Sequence, residues 1–349
     1  MTWLTWRQFR VQAAVVGGLL VLMAIVVIPT GLHIGDLYRT CKAAADCGSS
    51  QFTNADQKLG VVLQIVLTIA PALIGAFWGA PLVARELETG TYRLGWTQSL
   101  SRQRWLAVKL GVVGLVSVAA VGLMSLMLTW WFSPIDTVMA ERLSSTFDAR
   151  DVVPLGYAAF AFVLGVAAGT LLRKTVPAMA ATLAAFVAVR VVVFEWVRPH
   201  LLPAKHAIMA ISKANESFGI SMTTSGPTVV VGAPNIPNAL VYSSTLVAKT
   251  GHQSSTAFIH NACSDLLQNL PSGPGRALVG HHAALPAGGP SRGAFQSCLD
   301  KVSSAFNQSV TYQPASHYWP LQGMEAALFF VLAGALLVLS FWWVRYRVS

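Results

Sequence analysis

The densest set of side chains able to do interfacial chemistry is Arg85–Lys109, RELETGTYRLGWTQSLSRQRWLAVK. Arg85 and the acids Glu86 and Glu88 open it, and Gly90-Thr91 break it. Arg93, Arg102, Arg104 and Lys109 follow, with Trp96 and Trp105 among polar residues. Carboxylates, guanidiniums and indoles in this order suit a short amphipathic helix under a membrane. Lipid headgroups would hold one side and a soluble partner would meet the other. A plainer reading also fits: a basic interfacial loop that sets topology and nothing more. A second pair, Arg190 and Glu195, closes a long apolar run. Charge at that depth is costly and tends to face protein or water, so both are candidates for lining a translocation path. Snorkelling to the interface fits them equally well, and Arg198 lies one turn beyond Glu195.

Other chemistry is missing. No GxxxxGK[ST] stretch can cradle phosphates, and neither HExxH nor GxSxG occurs. His200, His206, His252, His260, His281, His282 and His317 have no compact metal-ligand spacing. No catalytic residue, metal site or cofactor bound by this chain is expected.

The elements that carry these residues follow from composition. Of 349 residues, 54% are hydrophobic and 11% charged, whereas a soluble domain carries roughly a quarter charged. The net charge of +10 comes from basic residues flanking apolar runs, so nucleic acid is not an expected partner. Apolar runs of about 20 residues cross the hydrocarbon. They place spans at residues 11–32, 59–84, 106–131, 153–172, 175–196 and 321–344. Residues 1–10, with Trp3, Trp6 and Phe9 beside Arg7 and Arg10, read as an interfacial helix or as the frayed start of the first span. Pro71 should kink the second span. Gly75/Gly79 and Gly165/Gly169 form GxxxG pairs, a pattern that allows close helix packing, self-association included. Residues 197–320, rich in Ser, Gly, Pro, Asn and His, form a separate domain.

Six spans put both termini on one side. With the 85–109 stretch, Arg173-Lys174 and the tail, that side holds eleven basic residues and two acids, and the rest of the chain thirteen and twelve. The positive-inside rule makes it cytoplasmic. The expected fold is an all-α polytopic membrane protein with cytoplasmic N- and C-termini. A mixed, partly helical extracytoplasmic domain lies between helices five and six. All four cysteines then fall outside, where disulfides persist. Shared loop position favours Cys41–Cys47, and matched apolar helix faces favour Cys263–Cys298; buried free thiols are the alternative.

The 85–109 stretch resembles the cytoplasmic loop after the second span in type-2 permeases of ABC transporters. The shared pattern is an acid (Glu86), a Gly-Thr pair (Gly90-Thr91), a polar run (98–101), then Arg102 and Lys109 leading into the next span. The six-span layout is similar too. The resemblance implies an exporter membrane subunit working with a cytoplasmic ABC ATPase that binds ATP and Mg. A second copy or a homologous permease would pair with it in the lipid bilayer of the plasma membrane. It implies that Glu86, Glu88, Gly90, Thr91, Arg93, Arg102 and Arg104, within loop 85–105, form or orient the coupling contact. The large 197–320 segment departs from the family pattern. It keeps a second function open, a membrane-anchored sensor whose outer domain binds a ligand. A membrane enzyme is disfavoured by the missing catalytic constellation.

Overall fold

The structure, a computed structural model, describes residues 2–44, 47, 53–90, 102–140, 142–143, 146–211, 218–223, 226–231, 234, 236–249, 258, 261–264, 277–279 and 292–347. It divides into two compact units: Met1–Leu202 with Ser316–Ser349, and Pro203–Ala315.

In the first unit, six helices among the described residues are long and apolar enough to cross a membrane. α1 (Thr2–Ala43) is one continuous helix. No separate interfacial helix precedes it, so residues 2–10 are the start of the first span, and the helix runs 11 residues past the expected end at 32. No glycine or cap interrupts Arg10–Val11, and extending a helix is easier than nucleating another. The side chains of Trp3, Trp6, Arg7 and Phe9 lie outside the described set. α2 (Asn54–Ile74) starts at a capping box, with Thr53 and Asp56 satisfying each other's backbone N–H. Its buried residues Gly60, Leu63, Leu67, Pro71 and Ile74 recur at three or four, one face of a helix. Pro71 offers no N–H to the carbonyl four residues back. The helix widens into a π-turn at Gly75–Gly79 just beyond it, then continues as α3 (Ala80–Thr89). Gly90, at φ 71°, ends it in the left-handed conformation that favours glycine.

α4 (Arg102–Met139), α5 (Val153–Leu172) and α6 (Thr175–Val192) follow. A π-turn, Val193–Val197, joins α6 to α7 (Arg198–Leu201). The two GxxxG pairs meet each other. A Cβ on Gly165 would overlap the Gly75 carbonyl, and one on Gly79 the Phe162 carbonyl; one on Gly169 would lie 2.6 Å from the Ala80 oxygen. These glycines therefore bring α2–α3 against α5 inside one chain. The buried stripe of α6 is Ala178, Thr182 and Phe186; Ala178 packs on Ala80 and Ala84.

In the second unit, β1 (Lys205–Ala210), β2 (Phe218–Thr223), β3 (Gly226–Val231), β4 (Leu240–Ala248) and β5 (Ala277–Val279) precede α8 (Arg292–Ala305) and β6 (Phe306–Gln313). Two antiparallel sheets form, in the orders β1-β6-β4 and β3-β2-β5. Cys263 and Cys298 are bonded, Cα to Cα 5.1 Å. Their core holds Ile211, Leu299, Val302 and Phe306. In the first unit, α1's last turn holds Cys41 bonded to Cys47, Cα to Cα 5.0 Å. α9 (Tyr318–Tyr346) completes the first unit.

The Cys263–Cys298 bond closes 35 residues, which by the loop-entropy relation stabilises that unit by about 3–4 kcal/mol. Replacing both cysteines by alanine should make Pro203–Ala315 sensitive to limited proteolysis while the spans stay protected. Equal protection of that unit in wild type and variant would remove the disulfide from its stability.

Candidate functional site

Polar side chains gather at the two ends of the helical unit. At the first end, the expected loop 85–105 is shorter than its sequence suggested. Arg85–Thr89 form the last turns of α3, and Arg102–Trp105 the first turn of α4. Helix-compatible residues continue to Gly90, and only that glycine stops them. Thr91 and Arg93 lie outside the described residues, as does the Arg102 side chain. The two acids hold partners within the chain. Glu86 pairs with Lys109 of α4; their side chains are 20% and 7% exposed. The Lys109 ammonium also stands 4.7 Å from the centre of the Trp105 ring, a cation–π contact. Glu88 reaches α6, where its Oε2 accepts from the Thr175 backbone N–H at 3.0 Å and from the Thr175 hydroxyl at 2.7 Å.

That second contact has a clear local cause. The first amides of a helix have no intrahelical acceptor. Lys174, at the N-cap of α6, supplies no side-chain cap. A carboxylate from another helix fills the role, where the helix dipole favours negative charge. Beside it, Arg173 (φ 54°) turns α5 into α6, and its guanidinium donates to the Arg347 carbonyl at 2.8 Å. The end of α3, the start of α4, the α5–α6 turn and the end of α9 thus share one end of the bundle. Arg85 and Arg104 are exposed there.

The other end holds a buried charge network. Asp148, in the turn Phe147–Ala149, accepts from Arg190 at 2.9 Å and from Arg198. Arg198 also donates to both oxygens of Glu325 on α9, at 2.9 and 2.8 Å. Tyr157 of α5 donates to Glu325 at 2.5 Å, and Arg190 lies 4.1 Å from the Tyr157 ring centre. Glu325 and Arg198 are 1% and 6% exposed. Around them Arg150 pairs with Asp136 at 2.5 Å, and Asp151 receives Tyr318 and, at 3.8 Å, Arg142. Four carboxylates thus meet four guanidiniums, so the formal charges of the set balance. Gln322 of α9 caps α5 from outside: its carbonyl accepts from the Val152 and Val153 amides at 3.2 and 3.0 Å, and its amide donates to the Phe147 carbonyl at 3.0 Å.

The structure places Arg190 inside this network and leaves Glu195 outside it, exposed. Glu195 does not take Arg198, because Asp148 and Glu325 approach Arg198 from the protein side of the helix. Glu325 and Gln322 escaped the sequence reading. Their signal was visible: a lone carboxylate inside an apolar span, which needs a partner. Among the described residues, no three His, Cys, Asp or Glu side chains converge as a metal site.

A family model described as ABC-2 membrane transporter related matches residues 17–198. That region runs from inside α1 to Arg198 of the far network and includes both acids of the first end. No curated protein and no solved structure matches the chain. With six apolar helices and a match over more than half its length, the chain belongs to the ABC-2 membrane transporter related family, as a multi-pass plasma-membrane permease and not itself a catalyst.

Proposed function

We propose that the chain is the membrane subunit of an ATP-driven exporter. A separate ABC ATPase subunit binds ATP with Mg and docks on the 85–105 region. A second copy, or a homologous permease, completes the membrane half. Both termini, the 85–105 region and Arg173-Lys174 lie in the cytoplasm, and Pro203–Ala315 lies outside. Eleven of the twenty-four basic residues on the cytoplasmic side, against two acids there, support this orientation. The cargo is an amphipathic drug, peptide or lipid-like molecule.

One observation carries the reading: Glu86 and Glu88, two residues apart, tie the end of α3 to α4 and to α6. A push on the region after Gly90 therefore acts on three helices at once. α6 and α7 together span 27 residues, a rod of about 40 Å at ~1.5 Å per residue. Its far end carries Arg190 and Arg198. Motion received at Thr175 would reach the Asp148–Glu325 network along that rod. Glu86 and Glu88 thus act as transmitting residues, and Gly90, Thr91, Arg93, Arg102 and Arg104 form the contact with the ATPase.

The test separates docking from transmission. A tagged chain, extracted mildly from its own membrane, should bring down an ATPase with a P-loop. Glu88→Gln weakens the cap on Thr175 without touching the docking surface. It should retain the ATPase yet lose most ATP-driven export. Arg102→Ala with Arg104→Ala should lose the ATPase. If wild type purifies with no ATPase, the exporter reading fails. The sensor reading then takes its place, with Pro203–Ala315 as the region to search for a ligand.

A further inference from the structure

α1 and α4 cross where Gly31 meets Trp130. A Cβ on Gly31 would overlap the Trp130 ring, so the indole occupies the space a side chain would need. The neighbouring Trp131 Nε1 donates to the Thr30 hydroxyl at 3.0 Å, which holds the crossing. One turn further along α1, Gly35 has nothing within 4 Å of a built Cβ. The helices part there and leave a cleft of about 260 Å³. It lies at the end of the bundle remote from the Glu86–Lys109 pair.

The lining changes character along the helices. Leu32 and Trp130 face the deeper part, and Tyr38, Ser133, Asp36 and Arg39 the outer part. Leu32 and Trp130 are 57% and 46% exposed on the apolar surface of the spans. The cleft therefore opens sideways, toward acyl chains. An aromatic and polar rim above an apolar floor matches the depth profile of a membrane interface. Asp36 and Arg39 sit one turn apart, 3.5 Å from each other, with side chains 74% and 83% exposed. A mostly solvated pair of this kind is worth little to the helix, so both groups can exchange partners at small cost.

We infer that this cleft binds the headgroup of a zwitterionic phospholipid of the bilayer, with phosphate on Arg39, ammonium on Asp36 and the acyl chains along Leu32. A net anionic headgroup would place negative charge against Asp36, and a cationic one positive charge against Arg39. Only a headgroup carrying both charges satisfies both side chains. The Trp130 ring adds surface for the ammonium, and Tyr38, whose ring already has the Lys42 ammonium 5.8 Å from its centre, adds apolar surface for the glycerol region.

The experiment uses the full chain in nanodiscs of equal parts phosphatidylethanolamine, phosphatidylcholine and phosphatidylglycerol. The protein is then extracted into mild detergent, and the retained lipid is measured by mass spectrometry. Wild type should keep the two zwitterionic lipids several-fold over the glycerol lipid. Gly35→Leu fills the cleft and should lose that excess. Gly17→Leu, at another open position on the same helix, should keep it. Asp36→Asn with Arg39→Gln should retain lipid without selectivity. These two side chains stand largely in solvent, so this variant carries the test even if Gly35→Leu fails to fold. Equal retention of the three lipids by wild type overturns the proposal. So does an excess that survives both the Gly35 and the Asp36/Arg39 variants.

Discussion

Arg198→Met is expected to lower the unfolding temperature of the detergent-extracted protein more than most single charge removals in the chain. Removing Arg198 leaves Asp148 paired with Arg190 and takes from Glu325 its guanidinium partner. Glu325 is buried on α9 at the centre of the network and keeps only the Tyr157 hydroxyl beside it. Breaking a buried pair from one side costs about 3–5 kcal/mol, because the charge left behind has neither water nor a partner. Replacing both members removes that uncompensated charge. Arg198→Met with Glu325→Met keeps the Asp148–Arg190 pair, so it should be clearly more stable than Arg198→Met alone. A double variant as unstable as the sum of the two singles would mean the two side chains do not act as a pair. Thermal unfolding of wild type, both singles and the double gives the full cycle.

Gly165→Leu should have a comparably large effect for a different reason. Here the opposing atoms are backbone: the Gly75 carbonyl and the Ala80 nitrogen face the missing Cβ. A flexible side chain could swing aside, whereas a helix backbone can yield only by moving α2–α3 away from α5. Overpacking costs ~1–3 kcal/mol even among side chains, and this contact belongs at or above the top of that range. The separation would also pull Glu88 from Thr175, since α3 carries one and α6, packed on the same group, carries the other. Gly111→Leu is the matched control, because nothing lies within 4 Å of its built Cβ. Equal yield and equal unfolding temperature for the two variants would show that the glycine contact does not set the distance between these helices.

The six apolar runs were legible because burial in lipid demands length and apolarity of each run by itself. The capacity of Gly75, Gly79, Gly165 and Gly169 for close packing was legible too. Which helix each would meet was not, since a small-residue face accepts any small-residue face. The boundaries of the 85–105 region were misread for a local reason. Polar composition suggested a loop, yet Arg85, Glu86, Leu87 and Glu88 are good helix formers, and one left-handed glycine ends the helix. Glu86 and Glu88 were picked out by type. Their donors, Lys109 and Thr175, are 23 and 87 residues away, beyond the reach of any local pattern.

The charge network shows the same division. Arg190 was visible as an ionisable group in an apolar run. Its partner Asp148 belonged to a polar connection between spans, and Glu325, the partner of Arg198, to the last helix. Pairings over 42 and 127 residues arise only when α5, α6 and α9 converge. Pro203–Ala315 is mixed, as its composition suggested, but its individual strands were not legible, because short strands among Ser, Gly and Pro carry little periodic signal.

The sequence by itself determined that the chain is a multi-pass membrane protein with six runs long and apolar enough to cross a bilayer and a distinct insert before the last of them, because each run meets the requirements of lipid from its own residues. It also determined, through the family match over 17–198, the transporter class. The tertiary structure alone decided that Glu88 caps a helix 87 residues away, that Gln322 caps another 169 residues away, and that Arg198 joins Asp148 to Glu325. An orphan amide or a buried charge takes its partner from whatever element packs beside it, and that choice depends on helix packing rather than on neighbours in the chain.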